Sequence, residues 1–193
     1  MMEFWESVGN SGFSMLLKQS GTAFTATLAF HSIGMAFVVG VSGAIALRVL
    51  GIAPRIPLAP MEEFWPLMVA GFWISAVTGV LLFVMDAPRF VPDATLYIKM
   101  GAIFAAMALA ARLRAQVFGQ RVDLDAPDEL KRARRLATWL LVVWGVAVVS
   151  GKVMAYTWVA GYQTSIAVIV CLGLTLLVGR FFLGWGKTAG QSL

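Results

Sequence analysis

Residues 66–85 read PLMVAGFWISAVTGVLLFVM, twenty consecutive positions without a charged side chain. The hydrocarbon core of a bilayer is about 30 Å thick, so a helix that rises about 1.5 Å per residue crosses it with about 20 apolar residues. Beyond this stretch, 60% of all residues are apolar and only 13% are charged, whereas soluble domains carry about 25% charged residues. The sequence therefore predicts an integral membrane protein.

Five segments have the length and composition of a transmembrane helix, and they are predicted at residues 22–47, 64–85, 95–113, 136–157 and 164–184. Aromatic and aliphatic residues alternate with polar ones at 3–18, which predicts a short helix lying on the membrane interface. Strands are excluded as spans because lipid does not tolerate an open sheet edge. The predicted fold is all-α, a polytopic membrane bundle of five transmembrane helices with an N-terminal interfacial helix, forming a single domain.

The lysines and arginines predict the orientation of the chain. If the basic connection at 112–135 is cytoplasmic, eleven of them lie inside and two outside, which is the bias of inserted membrane proteins. The N-terminus is then periplasmic and the C-terminus cytoplasmic. The net charge of +5 is interpreted as orientation information, so the predicted partner is the lipid bilayer and no nucleic acid is expected.

Three predicted spans carry an ionisable side chain in their outer half, namely His31, Lys99 and Lys152. Each such group costs about 3 kcal/mol or more in hydrocarbon. A shared polar site in the outer half of the bilayer would offset this cost, and Thr78 of the second span lies at a comparable depth.

The residues around His31 favour a cofactor. Thr27, Gly34 and Met35 lie one turn away on the same helix, and this small, slightly polar face leaves room for a flat ligand. Since neutral imidazole is a common iron ligand, we hypothesise a b-type heme with His31 as its metal ligand. Lys99 and Lys152 would pair with its carboxylates, and Met35 and Met100 are the candidates for a second ligand. The predicted cofactor-binding set is His31, Lys99, Lys152, Thr27, Met35 and Thr78.

Structural explanations compete with this hypothesis. His31 could donate a hydrogen bond to a backbone carbonyl or to Thr27 across a helix contact. Lys99 could extend to the phosphate level at the membrane surface. Lys152 could do the same, or pair with Asp86.

Residues with small side chains are spaced four apart on three of the predicted helices, which favours close helix packing. The sets are Ala36, Gly40 and Ala44; Gly71 and Ser75; and Ala147, Gly151 and Ala155. Such grooves are also compatible with an accessory subunit that docks to other membrane subunits or forms a homo-oligomer. A third alternative is a small anion transporter that uses Lys99 and Lys152. Whether the protein catalyses a reaction is left open by the sequence.

Two stretches carry a resemblance to known proteins: FHSIGMAFVVGVSGAIALRVLG (30–51) and the continuous segment from Pro66 to Leu113. Over residues 20–115 the chain resembles an uncharacterised bacterial family of small polytopic inner-membrane proteins. Members share a histidine-glycine first span, a TGxLLF element (78–83 here) in the second, and a third span that opens with an aromatic residue ahead of Lys99 and Met100. The resemblance implies a bacterial inner-membrane location.

A more distant resemblance concerns a histidine in the first span with a lysine opening a later one. This arrangement is similar to copper-resistance D-type proteins and to the membrane protoporphyrinogen oxidase, and it implies heme or copper handling by His31 and Lys99. Members often have a further histidine near the end of the third span, where this chain reads AARLRAQVF (110–118). Because His31 is the only histidine, ligation by two histidines of one chain is excluded.

Overall fold

The computed structural model describes residues 1–119 and 127–155, together with the isolated positions 166, 170 and 173. Four of its helices are long and apolar enough to cross a membrane. These spans fit a multi-pass membrane protein. Their bounds are Gly21–Val49, Ala59–Met85, Ala94–Phe118 and Pro127–Met154.

The prediction of an all-α fold is confirmed for the described residues, which contain helices and no strand. The predicted fifth span at 164–184 lies outside them, apart from the isolated positions. In chain order the elements are α1 (Met2–Gly9), α2 (Gly12–Gln19), α3 (Gly21–Val49), a 3₁₀ helix (Ala59–Phe64), α4 (Trp65–Met85), α5 (Ala87–Phe90), α6 (Ala94–Phe118) and α7 (Pro127–Ala155).

The described chain divides into two compact units. The first contains Met1–Ser42 and Glu63–Tyr97, and the second contains Gly43–Glu62 and the described residues from Ile98 onward. Helices α3 and α6 contribute residues to both units. The interpretation as a single membrane domain stays a prediction.

In the first unit, the N-terminal segment forms two helices where a single helix at 3–18 was predicted. The break falls at Asn10 and Ser11, because the Ser11 side chain accepts a hydrogen bond from the Ser14 backbone N–H and so caps a new helix. Ser14 is completely buried, and its hydroxyl lies within hydrogen-bond distance of the Val84 and Met85 carbonyls, at 3.2 and 3.4 Å. Helix α2 therefore packs against the end of α4, while an interfacial location stays a prediction.

Helices α3 and α4 of the first unit lie antiparallel and in backbone contact. A Cβ atom added to Gly34 would lie 2.7 Å from both the Gly71 carbonyl oxygen and the Ser75 backbone nitrogen. A Cβ atom on Gly71 would lie 2.7 Å from the Cβ of Phe37. Real Cβ atoms do not approach other atoms so closely, so both positions require glycine. We call this region the α3–α4 contact.

The small residues predicted to pack on α3 are the wrong ones, because they lie on a different face of the helix from the one that contacts α4. The glycine of α3 that meets the α4 backbone is Gly34, whereas Ala36, Gly40 and Ala44 are exposed, and a Cβ atom on Gly40 would meet no neighbour within 4 Å. On α4 the prediction is confirmed, since both small residues lie in the contact. Interhelical approach in membranes depends on small residues on each helix, but their spacing alone does not identify the face that packs.

Helices α6 and α7 of the second unit are also antiparallel. Near one end the Gln116 amide donates a hydrogen bond to the Glu129 carboxylate, and near the other end Lys99 lies against Gly151. Helix α7 buries residues at alternating spacings of four and three, a pattern that places them on one face. They are Ala133, Ala137, Leu140, Trp144 and Ala147, each at most 2% exposed.

Large apolar side chains remain exposed along the spans, including Trp73, Val80, Phe104 and Trp139. Such a surface is incompatible with water over its whole length. The apolar helices therefore contact the lipid bilayer.

Candidate functional site

The candidate site is built around His31 in the middle of α3. Its Nδ1 atom lies 2.9 Å from the Ser75 carbonyl oxygen of α4. The Thr78 hydroxyl and the Ser75 hydroxyl are each 3.3 Å from the same nitrogen. The α3–α4 contact places these groups together, because Gly34 is one turn from His31 and lets the two backbones approach.

The hydrogen bonds determine which nitrogen of His31 carries a proton. A carbonyl oxygen only accepts, so the short contact requires that Nδ1–H donates to Ser75. The Thr78 hydroxyl donates to the Ile74 carbonyl at 2.6 Å, so its oxygen is available as a second acceptor. In the neutral imidazole, Nε2 is then the basic nitrogen, and this is the tautomer of a histidine that ligates a metal through Nε2.

Gly79 forms the wall beside the imidazole. A Cβ atom at this position would lie 3.2 Å from Cε1 and 3.5 Å from Nδ1 of His31. The ring is therefore held between a glycine surface and two acceptors, which fixes its plane. From the sequence, Ser75 is predicted only to pack helices together, and Gly79 is not predicted to belong to the site. The spacing of residues 75, 78 and 79 could have indicated that they act together, since residues three and four apart lie on one face of a helix.

The structure places the other predicted neighbours of His31 differently. The hydroxyl of Thr27 is buried and donates to the Ala23 carbonyl of its own helix at 2.8 Å. Met35 is half-buried. The space beside Gly34 that the sequence offered to a flat ligand is filled by the backbone of α4, so a ligand of His31 must approach from another side of the ring.

Lys99 and Lys152 both belong to the second unit. The side chain of Lys99 lies along α7, with Cε and Nζ at 3.4 and 3.5 Å from the position of a Gly151 Cβ atom. Lys152 is exposed. Asp86, considered as a partner of Lys152, has its carboxylate 3.7 Å from the Arg89 guanidinium. A common site for His31, Lys99 and Lys152 stays a prediction.

The described residues provide no group of three or more histidine, cysteine, aspartate or glutamate side chains that could hold a metal ion. The candidate metal ligand at this site is the His31 imidazole, whose ring is oriented by its hydrogen bonds to α4. Comparisons with models of protein families, with curated proteins and with solved structures find no match to this chain.

Proposed function

We propose that this integral membrane protein binds a b-type heme through Nε2 of His31 and acts in electron transfer or heme handling within the membrane. The observation that supports the proposal is the hydrogen bond from Nδ1–H to the Ser75 carbonyl, at 2.9 Å. This bond is also the one that the competing structural explanation predicts, and it supports heme binding because it makes Nε2 the basic nitrogen. Metal-ligating histidines usually donate their other ring N–H to a carbonyl or carboxylate, which orients the ring and makes the ligating nitrogen more basic.

The donor set fits a heme better than a bare metal ion. A zinc or copper ion needs several protein side chains, and the described residues offer no such cluster. A porphyrin supplies four nitrogens of its own, so a single axial histidine is sufficient to hold it. When bound, the heme iron would supply reversible one-electron chemistry.

The residues of the chain have separate tasks in this proposal. Ser75 and Thr78 hold the imidazole plane through their oxygens, and Gly79 leaves space for the ring. Because the α3–α4 contact is closed at Gly34, the porphyrin must approach His31 from outside that contact. Ligation by Met35 as a second axial group and pairing of Lys99 and Lys152 with the propionates stay predictions from sequence.

An absorption spectrum tests the proposal. Protein purified without metal affinity, or reconstituted with hemin in detergent, should show a Soret band and a pyridine hemochrome of heme b. His31→Gly should lose the band, and added imidazole should restore it by occupying the vacated position. Ser32→Ala is the matched control, because this exposed hydroxyl donates to the Leu28 carbonyl of its own helix at 2.9 Å, and it should retain the spectrum. Protein that stays colourless after reconstitution would refute the proposal.

Lys99 supports a second candidate function, binding and transport of an anion. Among the ion pairs of the described residues, none includes Lys99, although its ammonium belongs to a membrane-spanning helix. An uncompensated charge there is costly, and an anionic solute would offset the cost. Anion flux into proteoliposomes that is abolished by Lys99→Met but retained by Lys18→Met would support this function. Absence of flux at either membrane polarity would dismiss it.

A further inference from the structure

The start of α7 carries a basic surface that continues into a lipid-facing apolar one. Positions 128, 132, 135, 139, 142 and 146 alternate in spacing between four and three, so they share one face of the helix. This face is opposite the buried face that contains Leu140 and Trp144. Its members are exposed, and Trp139, Val142 and Val146 are 56%, 49% and 43% exposed.

A shallow depression lies at the basic end of this face. Its volume is ≈ 390 Å³, and the described residues that line it are Asp128, Glu129, Lys131, Arg132 and Arg135. We call it the α7 depression. Among the described residues that line it, three are basic and two are acidic, so these five side chains together carry a net positive charge.

Both carboxylates of the α7 depression already have partners. Asp128 lies 3.5 Å from the Lys131 ammonium, and the Glu129 carboxylate accepts a hydrogen bond from Gln116. Arg132 and Arg135 are in none of the ion pairs formed among the described residues. Two guanidinium groups one helical turn apart therefore remain to bind an anion, and guanidinium forms paired hydrogen bonds with phosphate oxygens.

We propose that the α7 depression binds the headgroup of an anionic phospholipid. Arg132 and Arg135 would hold the phosphate, Trp139 would lie at the level of the glycerol backbone, and an acyl chain would follow Val142 and Val146. A phospholipid fits this face better than a soluble anion does, because it has an anionic headgroup for the basic part and acyl chains for the adjoining apolar part. Tryptophan belongs at this interfacial depth, and basic residues next to a span attract anionic lipids. The inference is independent of any ligand of His31.

Equilibrium binding of a fluorescent short-chain phosphatidylglycerol to the full chain in neutral detergent tests the inference. Arg132→Gln and Arg135→Gln should each weaken binding about fivefold, and the double variant about 25-fold. Arg134→Gln is the matched control. It removes the same charge from the same helix, but it does not line the α7 depression, and its effect should be less than twofold. All three positions of substitution are exposed, and gel filtration verifies that the variants are folded.

Two outcomes would overturn the inference. An equal loss in Arg132→Gln, Arg135→Gln and Arg134→Gln would mean that the lipid responds only to overall charge. Displacement of the lipid by inorganic phosphate or glycerol phosphate, at concentrations similar to those of competing phosphatidylglycerol, would mean that the depression binds a soluble anion.

Discussion

Replacing Gly34 by alanine tests the α3–α4 contact on which the candidate site depends. The added Cβ atom would lie 2.7 Å from two backbone atoms of α4, and backbone atoms cannot rotate away as side chains do. To reach an ordinary separation of 3.4 Å, the helices must move apart by about 0.7 Å. The same movement would lengthen the His31–Ser75 hydrogen bond from 2.9 Å to about 3.6 Å, which is too long for a hydrogen bond.

Two effects contribute to the loss of unfolding free energy that we expect for Gly34→Ala. Overpacking in a well-packed core costs about 1–3 kcal/mol, and an interhelical hydrogen bond in a membrane protein contributes about 0.6–1.7 kcal/mol. Gly34→Ala should therefore lower the free energy of unfolding by about 2–5 kcal/mol. Gly40→Ala is the control on the same helix, where the Cβ atom meets open space, and it should be neutral or slightly stabilising because alanine favours the helix.

Reversible unfolding in mixed detergent, followed by circular dichroism, measures both variants. If the protein binds heme, the Gly34→Ala variant should also show a shifted or weakened Soret band, since the ring of His31 loses its orienting acceptor. Equal stability of Gly34→Ala and Gly40→Ala would refute the reasoning, because the contact could not then involve Gly34.

Three further predictions concern other parts of the chain. Ser14→Ala should lower the free energy of unfolding by about 1 kcal/mol and should increase amide hydrogen exchange at residues 2–19 while exchange in α4 stays unchanged. Unchanged protection of residues 2–19 in the variant would contradict this. Leu140→Ala should lower the free energy of unfolding by about 2–5 kcal/mol, because this side chain is fully buried, whereas Val142→Ala, at a 49% exposed position, should cost less than about 0.5 kcal/mol. Arg114→Gln should lower the free energy of unfolding by about 1 kcal/mol or less, because the 2.9 Å ion pair with Glu62 joins side chains that are 41% and 40% exposed. A larger loss in thermal unfolding would mean that this ion pair stabilises the end of α6.

The spans were predictable because hydrocarbon thickness and the absence of charge limit where a membrane helix can lie. The second span, predicted at 64–85, is a helix at Trp65–Met85, and the third, predicted at 95–113, extends to Phe118. The difference at Phe118 has a physical reason. Hydropathy identifies only the apolar part of a helix. The helix itself continues past that part for as long as its residues favour helical structure.

The details of packing could not be predicted from one sequence. Small residues occur at several registers along α3, and selecting Gly34 over Gly40 requires knowing which face α4 approaches. A hydrogen bond from His31 to a backbone carbonyl was one of the predicted alternatives, but the sequence carries no signature that identifies the Ser75 carbonyl as the acceptor. The break at Ser11 was predictable in principle, because a serine before a helical stretch is a common N-cap.

The contact between Ser14 and the last turn of α4 has a consequence for how the protein is made. The serine leaves the ribosome about 70 residues before the carbonyls of Val84 and Met85 that its hydroxyl reaches. Helices α1 and α2 therefore cannot dock until the hairpin of α3 and α4 has been synthesised and inserted. During that interval the Trp5 ring lacks its edge-on contact with Phe83 of α4, 5.5 Å between ring centroids, and the bilayer surface or a chaperone must cover it instead.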